Sequence, residues 1–299
     1  LERLNRELLK NPDPEWQKRE EIRETLERQE ELRENLEDAS DQLRQQMEDF
    51  ERDNAGSLET LEKMEMIQEL LQALREIRDQ DRLAGVVITG AGKAFSAGAD
   101  MRELKESLNR SVEHSRSASE LFKHFLLEIY HFPKPVIAAV NGPAIGGGCG
   151  LATVCDLILA SRTAVFGYAE VKIGFIPALV SVFLTRITGE KKARELLLTG
   201  RTFTADEGAQ MGIVNQVVPP EQLLQSAREM IELISGNSAQ AVSQTKELLA
   251  QTAGLSLHGA LNLAAAKNTL SRTSPEFEEG VGAFLERRLP TFGNNPVDE

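Results

Sequence analysis

The sequence predicts an α/β protein: a parallel sheet with covering helices, a helical C-terminal region, and a charged helical extension in front. Three observations carry this. Short runs of β-branched and small apolar residues alternate with longer amphipathic stretches, the order in which parallel strands and their covering helices follow one another. Beyond Glu190 the pattern is mostly helical. The composition also breaks near Asn54, because residues 1–53 hold 10 Lys and Arg against 18 Asp and Glu, more than half of a net charge of −13 over 299 residues. Three segments are expected: a charged extension (1–53), an α/β core (54–235) and a C-terminal helical region (236–299).

In chain order, Asn11-Pro12-Asp13-Pro14 is a break, after which Ile22, Leu36, Leu43 and Phe50 recur on a seven-residue grid. Leu26, Leu32 and Met47 fill adjacent faces, while Gln29 and Arg33 interrupt the grid. This is an amphipathic helix that packs on another chain or on its own domain, or a charged helix projecting into solvent. From Ser57, a cap, the residues Leu58, Leu61, Met64, Ile67, Leu71, Leu74 and Ile77 mark one face of a helix. The run Gly85–Thr89 reads as a buried strand. A second unit follows: a helix to about Tyr130, the breaker Phe132-Pro133-Lys134-Pro135, the strand Val136–Val140 and the loop Asn141-Gly142-Pro143. A glycine-rich turn, a short helix, the strand Asp156–Ala160 and a later strand near Ile213–Val218 complete the reading.

The charge narrows function. A net of −13 repels nucleic acid and anionic lipid. No apolar run approaches the roughly 18 to 20 residues of a membrane span, and the acid-rich start is unlike a signal or transit peptide. A cytoplasmic protein that binds no nucleic acid and does not span a membrane is expected. Cys149 and Cys155 are the only cysteines, with no His or Cys partner spaced for zinc, so they read as buried structural thiols and no metal is expected.

Two glycine-rich loops carry the chemistry. Gly90 to Asp100 follows a strand end, where open α/β sheets place ligands; its small residues let a substrate approach the backbone, or make a tight structural turn. Neither the P-loop nor the dinucleotide fingerprint is present. Gly146-Gly147-Gly148 opens a helix, so free N–H groups and the helix dipole can face a developing negative charge; close helix–strand packing is the other use of three glycines. Donors from the two loops together would make an oxyanion hole.

Several stretches resemble the crotonase superfamily, the enoyl-CoA hydratases and isomerases. They are residues 93–100 (KAFSAGAD), 133–142 (PKPVIAAVNG), Gly146-Gly147-Gly148, Cys155-Asp156, 166–174 (FGYAEVKIG), Leu198-Thr199-Gly200-Arg201 and Phe284-Leu285-Glu286-Arg287-Arg288. The resemblance covers about residues 54 to 292 and implies a spiral of ββα units, assembled as a homotrimer or hexamer through the C-terminal region. It implies an acyl-CoA thioester as substrate, coenzyme A being part of that substrate and no separate cofactor being needed. The N–H groups of Ala99 and Gly147 then fall at the oxyanion hole, and Ala97, Gly98, Ala99, Asp100 and Met101 line the CoA channel. Lys93 is a partner for CoA phosphates or a solvated loop lysine, and Arg287 is expected to reach a CoA in the adjacent site. Glu170 is the expected acid–base group, with apolar sequence neighbours Val171, Ile173, Phe175 and Ile176. Cys149 and Tyr168 flank it and read as core or pocket lining.

Two departures matter. Hydratases of this superfamily commonly carry a second glutamate where Gly150 stands here. They also begin with two strands, whereas Asn54-Ala55 is preceded by the charged helix. Hydration of a small to medium 2-enoyl-CoA, in fatty-acid β-oxidation or leucine degradation through methylglutaconyl-CoA, is the leading expectation. Ile176–Val182, in place of a P-G-x-G-G-T stretch, supports that lean. A Δ3–Δ2 isomerase, which one carboxylate can serve, and a non-catalytic assembly protein are the alternatives.

Overall fold

The computed structural model describes residues 58–292 apart from 79, 81, 99–104 and 106–110. The Ser57 cap, the seven-residue grid and the expected gap in the first hairpin lie outside the described residues. The described residues belong to one compact unit.

Helix α1 (Leu58–Arg78) buries Leu71 and Leu74, with Ile67 and Ile77 packed against the same core, the stripe that the spacing predicts. Strand β1 (Val86–Thr89) follows, then α2 (Val112–Tyr130), which buries Leu121, Phe125, Leu126 and Ile129. Strand β2 spans Val136–Val140, the predicted bounds, because Pro135 before it and Asn141-Gly142 after it end the extended run on both sides. Next come β3 (Ala144–Ile145), α3 (Gly147–Val154), β4 (Leu157–Ser161) and β5 (Val165–Gly167). A 3₁₀ turn (Glu170–Ile173) leads to α4 (Ala178–Thr199), broken at Gly189, then β6 (Thr202–Thr204), α5 (Ala205–Gln210) and β7 (Gln216–Val218).

Four strands form a parallel sheet in the order β1-β2-β4-β7. Alternate residues serve two cores. Ile137, Ala139 and Leu159 pack with Val218, Leu223 and Ala227 on one face, while Val136, Ala138, Val140, Ile158 and Ala160 join the larger core on the other. Both faces are therefore covered, which is why β2 and β4 read as continuous apolar runs. Strand β4 starts one residue later than the sequence suggests. The Asp156 side chain is occupied instead, accepting the Val136 N–H and the Lys246 ammonium, each at 2.7 Å. Strand β7 is shorter than predicted because Ile213 and Val214 turn into the core and the Asn215 side chain takes the Ile158 N–H at 2.8 Å.

The second sheet, β3-β5-β6, was not expected. Its strands are two or three residues long, too short to show a period, and β6 is fixed by the cross-strand pair Phe166 and Phe203, stacked at 5.5 Å.

Four helices follow among the described residues: α6 (Leu223–Ser235), α7 (Ala239–Thr252), α8 (Leu257–Ser271) and α9 (Pro275–Glu286). Ser238, Ser256 and Ser274 cap the last three, and Pro275 takes the first helical position of α9, where its missing N–H costs nothing. These helices leave apolar side chains in solvent: Phe277, Val281, Phe284 and Leu285 line a groove of about 660 Å³ between α7, α8 and α9. Among the described residues no helix is long and apolar enough to cross a membrane.

Candidate active site

Parallel neighbours β1 and β2 send their C-terminal ends out on one side of the sheet, so the two glycine loops leave it together. Asn141 ties them: its side chain accepts from Gly90 N–H at 3.2 Å and donates to the carbonyls of Gly90 and Gly92 at 3.1 and 3.0 Å. Further on, Phe95 and Ser96 donate to Pro143 O, and Ile145 donates to Ser96 O at 2.9 Å. Some of the glycines serve this packing. A Cβ on Gly90 or Gly142 would stand 2.0 Å from the carbonyl oxygen of Ala94 or Lys93, so both positions admit only hydrogen. At Gly98 φ is 84°, and a Cβ would meet Ile145 O at 2.8 Å. The chain thus runs flush against the second loop as it approaches Ala99. Ala99, Asp100 and Met101 themselves lie outside the described residues. Lys93 and Ala97 are exposed, and Lys93 meets no ion-pair partner among the described residues.

The glycine triplet divides its labour. Gly146 caps α3 at φ 56°, donates to Gly167 O at 2.8 Å and accepts from Gly150 N–H at 3.0 Å. Gly147 is the first helical residue, and its N–H has no acceptor among the described residues, as expected of the first turn. Phe122 of α2 covers its other side: a Cβ on Gly147 would stand 3.4 Å from the Phe122 ring. Gly148 is there for packing, since a Cβ would meet Ser96 at 2.4 Å. Of the two uses of the triplet left open by the sequence, close packing is seen at Gly148, while Gly147 keeps an N–H without an acceptor among the described residues.

Glu170 comes to this helix start from the other sheet, two residues beyond Tyr168. Its Oε1 lies 3.4 Å from where a Cβ on Gly146 would be, so the carboxylate rests against the cap of α3. Its Oε2 is buried and has no hydrogen-bond partner among the described residues. Burial pushes the Glu170 carboxyl above the ordinary carboxylate range, because lost hydration penalises the charged form more than its own N–H helps it. Of its apolar sequence neighbours, Ile173, Phe175 and Ile176 are 49%, 56% and 68% exposed, and Val171 is half-buried. The buried Cys149 and Tyr168 lie close enough to feel the Glu170 charge, and burial pushes both of their protons on more firmly.

Gly150, one turn along α3, faces Val180 at the start of α4. A Cβ at 150 would stand 2.1 Å from Val180 Cγ1, and Val180 is buried. The place where a second carboxylate is sought is therefore filled by a valine. Val180, Phe122 and Thr153, which is bonded to Tyr168, are the neighbours that sequence reasoning missed. For Val180 a signal existed in the unusual Ile176–Val182 stretch. Arg287 ends α9 in the left-handed region (φ 57°) and is exposed, while Arg288 beside it is held by Glu279 and Glu286.

The parallel α/β core thus sets a helix start and a half-buried carboxylate beside two converging backbone loops. The family comparison is specific: the model for enoyl-CoA hydratase/isomerase matches residues 53–295, and the chain belongs to that family. A provisionally named enoyl-CoA hydratase of Thermus thermophilus is 44% identical over 232 residues, 76% of this chain and 90% of its own length. The mitochondrial enoyl-CoA hydratase of Pongo abelii is 36% identical over 228 residues, 76% of this chain and 77% of that protein. Among solved structures, the Bacillus anthracis enoyl-CoA hydratase superposes with a TM-score of 0.70 at 33% identity, covering 77% of this chain and 88% of that one.

Proposed function

We propose that the protein adds water across the 2,3-double bond of a 2-enoyl-CoA, with the Gly147 and Ala99 N–H groups receiving the thioester oxygen and Glu170 handling the proton. The observation that carries the reading is the Glu170 carboxylate lying against the cap of α3, one oxygen buried and unpartnered among the described residues, beside an N–H with no acceptor there. In the proposed step the water oxygen bonds to C3 and gives one proton to Glu170. The π pair moves onto the thioester oxygen as an enolate. Glu170 then returns the proton to C2, the second hydrogen of the water stays on the new hydroxyl, and the carboxylate is regenerated. Fixed donors at the enolate oxygen are worth about 3 to 4 kcal/mol each in a dry site. A carboxyl raised above its ordinary range is a stronger base in its ionised form, which suits it to take a proton from water. Coenzyme A enters as part of the substrate, and the residues on this path require no other cofactor.

Val180 against Gly150 favours one competing reading, because a single carboxylate is enough for a 1,3-proton shift that uses no water. Heavy-oxygen water separates the two. Crotonyl-CoA should give a 3-hydroxyacyl product labelled at C3, whereas an isomerase converts 3-hexenoyl-CoA to the 2-enoyl isomer without label. Absence of label in any product overturns hydration, and absence of both turnover and CoA-thioester binding would favour an assembly protein.

The exposed Phe277, Val281, Phe284 and Leu285 support assembly as a trimer or hexamer, with Arg287 reaching the phosphates of a CoA in the next subunit. Arg287→Ala should leave the mass seen by light scattering unchanged and weaken CoA binding, more at low salt than at high, since an exposed charge is screened. A monomer in the parent protein defeats the first part, and unchanged affinity defeats the second.

A further inference from the structure

Tyr168 is completely buried and takes no part in the reaction above. Its hydroxyl lies 2.6 Å from Thr153 Oγ1, and Thr153 Oγ1 donates to the Cys149 carbonyl at 2.7 Å. A threonine hydroxyl has one proton to give. With that proton on the carbonyl, the Tyr168 O–H must be the donor to Thr153, so the chain runs in one direction, Tyr168 to Thr153 to Cys149 O. Phenylalanine would fill the same space. A buried hydroxyl that earns no packing advantage over hydrogen is explained by the bond it makes.

That bond joins the two halves of the site. Tyr168 sits on the link between β5 and the 3₁₀ turn that begins at Glu170, whereas Thr153 sits on α3, whose first residue is Gly147. A second bond ties the same segments at the opposite end of α3, from Gly146 N–H to Gly167 O at 2.8 Å. Gly146 and Thr153 are about two turns apart. One tie alone would act as a hinge; two set the angle of the helix against the strand leading to Glu170. We infer that Tyr168 is a positioning residue whose hydroxyl, through Thr153, holds the Gly147 N–H and the Glu170 carboxylate in register on one substrate. The inference rests on the roles given to Gly147 and Glu170 above.

The test compares Tyr168→Phe, Thr153→Val and Thr153→Ser in the full chain, by crotonyl-CoA turnover and by the absorption of bound cinnamoyl-CoA. The absorption of that conjugated thioester moves to longer wavelength as its carbonyl is polarised. At saturation the shift does not depend on the fraction of protein that is folded, so a purely structural loss leaves it unmoved. Tyr168→Phe and Thr153→Val should each shrink the red shift and lower kcat about tenfold with KM within about twofold, as expected of a misaimed donor. Their combination should cost no more than either alone. Thr153→Ser keeps a hydroxyl and should keep both readouts. Parent-like shift and kcat in Tyr168→Phe and Thr153→Val overturn the inference, as does a loss in Thr153→Ser equal to that in Thr153→Val. If Tyr168→Phe does not fold, the two Thr153 variants decide. Glu170→Gln measured alongside separates the levels: full activity there, or no red shift in the parent protein, fails the functional reading and this inference with it. A normal result in both, with silent Tyr168 and Thr153 variants, fails this inference alone.

Discussion

Glu170→Gln should lower turnover by about 10² to 10⁴ while CoA-thioester binding and the fold persist, because the amide keeps the shape and removes only the proton acceptor. Stability should move the other way. The carboxyl is raised in the folded state by burial, and Oε2 has no partner among the described residues, so ionisation works against the fold. Below the ordinary carboxylate range both folded and unfolded states are protonated and that cost is absent. It grows as pH rises through the ordinary value and is complete above the raised one. Glutamine carries no such cost, so the melting temperature of the variant at neutral pH should equal or exceed that of the parent, the gap closing in acid. The same shift governs the rate. The ionised base is lost as pH falls through the raised value, so the acidic limb of kcat/KM should lie above the ordinary carboxylate range. Full activity in Glu170→Gln would remove the residue from the chemistry, and a sharply lower melting temperature would make it structural.

The second large effect is expected at Gly150. In an exposed helix interior, glycine to alanine would gain about 1 kcal/mol. Here the added Cβ would overlap Val180 Cγ1 at 2.1 Å, with both residues buried, so Gly150→Ala should destabilise by roughly 1 to 3 kcal/mol instead. Gly150→Glu adds a carboxylate to the same crowded space and should fold poorly rather than gain hydration. The cause can be isolated: Val180→Ala should rescue Gly150→Ala, because it removes the carbon atoms that collide, giving a non-additive pair in thermal melts. If Gly150→Ala alone is as stable as the parent, α3 and α4 can separate at no cost and Val180 does not determine the one-carboxylate site.

Much of this was legible beforehand, and the reasons differ by element. Strand β2 was read to the residue because proline and an Asn-Gly pair punctuate an unbroken apolar run. The half of α1 from Ile67 onward was legible because helical spacing survives in sequence. By contrast, β3 and β6 hold two and three residues, and their pairing depends on partners far along the chain. At the site, Gly147 and Glu170 were named by motif, and the structure sets the Glu170 carboxylate against Gly146. Of the apolar residues that follow Glu170 in sequence, Ile173, Phe175 and Ile176 stand exposed, a property that an apolar string does not encode.

By itself the sequence determined the parallel α/β architecture, the helix start with free N–H groups, and the carboxylate two residues after Tyr168. These are local properties: a period of two or of 3.6, a glycine where φ is positive, an acid at a motif position. Only the tertiary structure decided what fills the space around them. Val180 reaches Gly150 from α4, and Thr153 meets the Tyr168 hydroxyl from α3. Occupied volume and a completed hydrogen bond each depend on which side chain arrives from another element, and no periodicity along the chain encodes that meeting.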